Sequence, residues 1–96
     1  MSADEYRFRL FIAGNEPNSR LAEQNLRALC AAYLPDCHHI EIIDVLQDFE
    51  AALQAMIMVA PTVMMIAPHP VTLFGALTDT ARTLAALGLK EAGPHD

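Results

Sequence analysis

"FIAGNEPNSR", residues 11–20, is the stretch on which the reading of the whole chain turns. On its N-terminal side Tyr6, Phe8, Leu10 and Ile12 alternate with Arg7, Arg9 and Phe11, the two-residue period of a β-strand. On its C-terminal side Leu21, Ala22, Leu26, Leu29, Cys30 and Tyr33 recur at the spacing of an amphipathic helix. The stretch is therefore a strand-to-helix junction. Gly14 permits a tight turn, Pro17 suits the entry to a helix, and Asn18 or Ser19 supplies its cap. In a small α/β protein such a junction often holds a catalytic cysteine pair or a phosphate-binding loop. Here it holds a glycine, a proline and polar residues, with no nucleophile among them.

The remaining elements follow in order. Pro35 and Asp36 end the first helix, and Ile40, Ile42, Ile43 and Val45 make a second strand. Asp48 opens a second helix carrying Phe49, Ala52, Leu53, Met56 and Ile57. Thr62 to Ala67 is almost wholly apolar, as a central strand buried on both faces should be. Pro68, His69 and Pro70 force a turn before a short strand from Val71 to Phe74; Gly75 interrupts, Thr78 or Asp79 caps a last helix, and Gly88 lies near its end. The chain reads as one α/β domain over residues 1–96 in the order βαβαββα, with frayed ends at 1–5 and 90–96. A right-handed crossover makes the first two strands parallel, and the short third connection makes the last two antiparallel.

That is the order of a thioredoxin-like fold. In thioredoxin-like proteins the first strand-to-helix turn carries Cys-x-x-Cys, and a cis proline precedes the third strand. Here the turn reads Asn15-Glu16-Pro17-Asn18, and Ala60-Pro61-Thr62 stands before strand three. The Ala60–Pro61 bond is expected to be cis in such a state. The scaffold is present without its thiols, and asparagine cannot supply a thiolate.

Composition bounds the function. The chain is 53% hydrophobic and 19% charged, too apolar to be disordered. Its net charge of −6, with six Lys and Arg, speaks against a nucleic-acid partner. The apolar stretch from Met56 to Ala67 contains Pro61 and is too short to span a bilayer. Cys30 and Cys37 make no disulfide framework and no signal peptide opens the chain, so a cytoplasmic protein is expected. Cys37, His38 and His39 lack a second ligand cluster for zinc, Cys30 fits as a small core hydrophobe, and Glu16 is a lone carboxylate. No catalytic residue, cofactor or metal is expected.

Three segments carry a resemblance: Ala13-Gly14-Asn15-Glu16-Pro17-Asn18-Ser19, then Ile43-Asp44-Val45-Leu46, then Ala60-Pro61-Thr62. Together they resemble the KaiB family of clock proteins, from about Tyr6 to Leu89. The structural motif residues are Gly14, Asn15, Pro17, Asn18, Ser19 and Pro61. The resemblance implies a non-enzymatic module that binds the ATPase ring of KaiC. It also implies two states, a tetrameric ground-state fold and a monomeric thioredoxin-like one. It extends to the input domain of a clock-associated histidine kinase, which stays thioredoxin-like. The C-terminal half, where the family rearranges, gives mixed local signals: Val71 to Leu77 is β-prone yet interrupted by Gly75, while Ala81 to Leu87 favours helix.

The chain departs from the family pattern at several places. Ala60 stands where the family has Thr, Pro68-His69-Pro70 where it has three prolines, and Gly75-Ala76-Leu77-Thr78 where it has Gly-Asp-Leu-Ser. Basic positions around the second helix and strands three and four are occupied here by Leu53, Met56, Met65, Thr72 and Leu73. The expected partner-binding residues are accordingly Asp48, Glu50, Leu53, Met56 and Met65. Against this stands the plainer expectation that Met56, Met58, Met64 and Met65 serve core and strand packing. A KaiC-like ATPase or related signalling protein is the implied partner, with a homo-oligomer, dimer or tetramer, alongside. The alternatives are a thiol enzyme of the thioredoxin or glutathione type that lost its cysteines, and a sensor module of a histidine-kinase pathway.

Overall fold

The computed structural model describes residues 5–89. Its elements are β1 (Tyr6–Ile12), α1 (Pro17–Tyr33), β2 (His38–Asp44), α2 (Phe49–Gln54), β3 (Thr62–Ala67), β4 (Val71–Phe74) and α3 (Thr80–Leu87). The expectations for residues 1–4 and 90–96 lie outside the described residues. Strand order is β2-β1-β3-β4, with β1 and β2 parallel and the other two pairings antiparallel. This is the thioredoxin-like arrangement. The Ala60–Pro61 bond is cis, and so is Ala67–Pro68, which the sequence did not signal.

Pairing register divides the sheet into two faces. Phe8 stands beside Ile40 and Met65, and Leu10 beside Ile42 and Val63. These residues point toward α1 and α3, where Leu26, Cys30, Leu84 and Leu87 complete the buried core. Each large side chain fully buried there stabilises the fold by about 1.5–3 kcal/mol. The opposite, outer face carries Arg7, Arg9, Phe11, Met64 and Phe74, which follows from the two-residue alternation of each strand. Phe11 and Ile43 are buried at its upper end, outside the main core.

Helix ends explain where the sequence reading shifts. α1 begins two or three residues earlier than Asn18 or Ser19 as cap would place it. Pro17 has no N–H to satisfy and a φ already suited to a first helical residue, so the cap falls on Glu16. Glu16 is not among the short capping residues, yet its carboxylate accepts from Ser19 N at 2.9 Å. Asp48 caps α2 as expected, accepting from Ala51 N at 3.1 Å, and Asp79 rather than Thr78 caps α3 through Arg82 N. β2 stops at Asp44, and Val45 adds only a single bond from its N–H to Ile12 O.

α2 is shorter than the apolar period suggests. It ends at Gln54, and Met56, expected inside the helix, takes φ +58 instead. Met56 N donates to Leu53 O and Ile57 N to Ala52 O, the crossed pair of bonds of a Schellman C-cap. That closure normally uses glycine at the left-handed position; here methionine occupies it.

Candidate docking face

The junction that opens the sequence is held by its own polar side chains. Gly14 lies at φ +56, with the space above it closed by Leu46, whose Cδ1 would sit 3.2 Å from an added Cβ. Gly14 N donates to Asp44 Oδ1 at 3.1 Å, and Leu46 N donates to the same oxygen at 3.0 Å. Ala13 N donates to Ser19 Oγ at 3.0 Å. One carboxylate thus ties the Ala13–Ser19 segment to the Ile43–Leu46 segment. Asn15, Pro17 and Asn18 are exposed on the turn, and Pro61 is buried beneath. Gly14 and Ser19 thus take a direct part in holding the turn.

Neither thiol lies at that turn: Cys30 is near the end of α1, and Cys37 stands beside Tyr6 at the opposite end of β1. Cys30 is buried in α1, and desolvation, reinforced by nearby Cys37 and opposed by Arg27, pushes its pKa up from 9.0 to about 12. At neutral pH it is a protonated core residue. Both cysteines are free. Among the described residues no three His, Cys, Asp or Glu side chains come together as a metal site. His38, instead of facing a metal, has Nδ1 2.7 Å from Leu34 O. No helix among the described residues is long and apolar enough to cross a membrane.

The distinctive surface lies on the outer face of the sheet. α1 and α3 cover the inner face, whereas α2 has only six residues and buries only Ala52. Below it runs an open groove of about 490 Å³ between the α2–β3 loop and strands β3 and β4. Met56, Met58, Val59, Met64 and Phe74 line it, with Thr72 among them. Met58 is 90% exposed, Met56 82% and Phe74 67%. Leu46, Phe49 and Leu53 continue the apolar surface around α2. Exposed apolar residues scattered singly would be ordinary; a contiguous set is what makes this face the candidate site.

The structure sorts the expected residues. Met56 lines the groove, and Leu53 is exposed on α2. Asp48 and Glu50 are exposed at the start of α2, although the Asp48 carboxylate also caps the helix. Met65 does not belong with them. It is 1% exposed, packed on the inner face beside Phe8, and is corrected from partner-binding to core. Its neighbour Met64 takes the outer position because successive side chains of a strand point to opposite faces. The expectation of core and strand packing for the four methionines divides: Met65 is core, Met64 is a half-buried position of β3, and for Met56 and Met58 it is overturned, since both are exposed. Met58, Val59, Met64 and Phe74 were missed as site residues. The available signal was the strand pairing, since Thr72 and Phe74 share a face with Met64 once β3 and β4 are in register.

The KaiB domain model matches residues 9–89. The circadian clock protein KaiB3 of Synechocystis sp. is 35% identical over 86 residues, covering 88% of this chain and 84% of that protein. The circadian clock oscillator protein KaiB of Parasynechococcus marenigrum is 35% identical over 85 residues, covering 88% of this chain and 82% of that protein. Among solved structures, the N-terminal domain of Synechococcus elongatus SasA superposes with a TM-score of 0.72 at 21% identity, covering 98% of this chain and 93% of that one. Fasciola hepatica thioredoxin gives 0.69 at 23% identity, covering 90% and 82%. These two likenesses show the fold.

Proposed function

The chain belongs to the KaiB family, and from that premise we propose that it is a non-enzymatic docking module of clock or stress signalling, regulating a KaiC-like ATPase. The observation that carries the reading is the pairing of a nucleophile-free turn with an exposed apolar groove. The position where a thiol enzyme would act is filled by Asn15, Glu16, Pro17 and Asn18, and the Cys30 thiol is buried and protonated. The groove beside α2 offers Met56, Met58 and Phe74, and methionine adapts its shape to a partner surface. The degenerate thiol enzyme is correspondingly disfavoured.

The docking contact runs through α2, the α2–β3 loop and the outer face of β3 and β4. Apolar burial at roughly 25 cal/mol per Å² supplies its affinity, with little help from charge steering. The thioredoxin-like state is the binding-competent one, and a family-type ground-state fold is its alternative. The setting is the cytoplasm.

The test uses the purified chain and the KaiC-like ATPase of its source organism. Light scattering after size-exclusion chromatography is expected to show a complex, and Met58→Lys is expected to lose it without lowering the thermal midpoint. Affinity should change less than roughly threefold as salt rises from low to physiological strength. Absence of a complex in every nucleotide state, with the ATPase rate unchanged, overturns the reading. A ground-state fold would appear as a second set of amide resonances exchanging over hours; a single set at all temperatures removes the switching component.

A further inference from the structure

The two edges of the sheet are defended unequally. β2, at one edge, carries Glu41 and Asp44, charges that discourage an added strand. β4, at the other, reads Val71-Thr72-Leu73-Phe74, uncharged and rich in β-forming residues. Pro70 precedes it and Gly75 follows, but no proline or charge lies within it. An edge of this kind is a template for another strand.

Register identifies which main-chain groups are free. Gly75 N donates to Pro61 O at 3.1 Å, so these two residues oppose one another as a hydrogen-bonded pair. Antiparallel pairs alternate, and Val63–Leu73 and Met65–Val71 are therefore bonded in the same way. Thr72 and Phe74 then turn their N–H and C=O groups outward, away from β3. No described residue outside the sheet bonds to them, and both are exposed.

Beside this edge the inner side opens into a hollow of about 220 Å³ between the end of β4 and the first turn of α3. Leu73 and Leu77 supply apolar wall, and Arg82 supplies charge. The wall is held in place, since Asn25 Nδ2 of α1 donates to Ala76 O at 2.7 Å. Asp79 also lines the hollow, but its carboxylate caps α3 by accepting from Arg82 N at 3.1 Å. The Arg82 guanidinium is exposed and makes no ion pair with a described residue.

From this we infer that β4 accepts an extended segment of a partner protein as an added antiparallel strand. The segment's residues opposite Thr72 and Phe74 make the main-chain bonds. The residue between them, opposite Leu73, turns to the inner side and fills the hollow with an apolar side chain. Two positions before it, opposite Gly75, an acidic residue meets Arg82. The pattern recognised is acidic-x-apolar within a β-forming segment, the main chain supplying affinity and the two side chains specificity. The inference goes beyond the docking reading. The groove uses the side chains of Thr72 and Phe74, whereas the edge uses their main chain, so both surfaces can be occupied together.

The capped peptide Lys-Thr-Glu-Thr-Leu-Thr-Val-Lys, titrated into the isotope-labelled chain alone, tests it, and failure to bind an ATPase leaves the result untouched. In the free chain the Thr72 and Phe74 amides should exchange with solvent at least about tenfold faster than those of Val71 and Leu73. The peptide should slow exchange at Thr72 and Phe74 and move their amide proton signals downfield. N-methylation of the two threonines flanking leucine removes the bonding N–H groups and should weaken binding at least about tenfold. N-methylation of the leucine, whose N–H points away from β4, should change binding less than about threefold. Arg82→Glu should weaken binding roughly fivefold at an unchanged thermal midpoint, and a peptide with lysine in place of glutamate should recover it. On the original chain that lysine peptide should bind the more weakly of the two. Thr72 and Phe74 amides unmoved at millimolar peptide, indifference to threonine N-methylation, or no recovery by the exchanged charges overturns the inference.

Discussion

Position 56 reverses the usual ranking of glycine and alanine. Met56 closes α2 at φ +58, a conformation that costs an L-residue roughly 1–2 kcal/mol relative to its right-handed counterpart. Glycine removes that cost but loses about 0.5–1 kcal/mol of backbone entropy on folding. At 82% exposure the methionine side chain contributes only a few tenths of a kcal/mol by burial. Met56→Gly should therefore stabilise the domain slightly, by about 0.5 kcal/mol. Met56→Ala keeps the Cβ and its strain while losing the same contacts, so it should destabilise by a few tenths. The gap between the variants, about 0.5–1 kcal/mol in favour of glycine, corresponds to roughly 2–8 °C in thermal midpoint for a domain of this size. Scanning calorimetry at a single protein concentration measures it directly. Met58, equally exposed but at ordinary φ, serves as control, and there alanine should exceed glycine. An alanine variant at 56 as stable as the glycine variant would refute the assigned backbone conformation.

Three further outcomes are expected. Asp44→Ala removes the acceptor of Gly14 N and Leu46 N and should cost about 1–2 kcal/mol, lowering the midpoint by roughly 4–15 °C, while Asp44→Asn, which retains the oxygen, should recover more than half. Burial raises the Cys30 pKa from 9.0 to about 12, so the folded state holds the proton more tightly than the unfolded one; that stability is present below pH 9 and lost as pH rises toward 12. Comparing alkaline denaturation of the original chain with Cys30→Ala isolates this contribution, and the variant should show the flatter profile. Finally, insulin reduction should proceed no faster with the original chain than with a Cys30→Ser, Cys37→Ser double variant, because the turn at Asn15 to Asn18 contains no attacking thiolate.

Where chain chemistry punctuates an element, the sequence was sufficient. β3 and β4 run between prolines and a glycine, and their observed bounds, Thr62–Ala67 and Val71–Phe74, are those read from the sequence. The start of α1 was displaced because Glu16 caps with an untypically long side chain. The end of α2 was displaced because Met56, Ile57, Met58 and Val59 continue the apolar run, and nothing in a methionine announces a positive φ. The docking face was half legible. Met56 and Leu53 emerged from positions where the family is charged, but assigning Met65 instead of Met64 rested on a one-residue parity. In β3 both alternating sets, Thr62, Met64 and Ile66 against Val63 and Met65, are largely apolar. Only pairing with Phe8 and Leu10 decides which set is covered, and that is a tertiary fact.

The Asp44 carboxylate has a consequence for how such a protein can be altered. Because one side chain fastens two of the three signature segments, much of what marks the chain's family is spent on holding a turn. The residues that line the proposed docking groove lie elsewhere, on a loop and two strands that donate nothing to that fastening. Recognition by sequence and recognition by partner are thus written in separate sets of side chains. An exchange of Met56, Met58 and Phe74 for the surface residues of a relative would retarget the module while leaving its lineage mark intact.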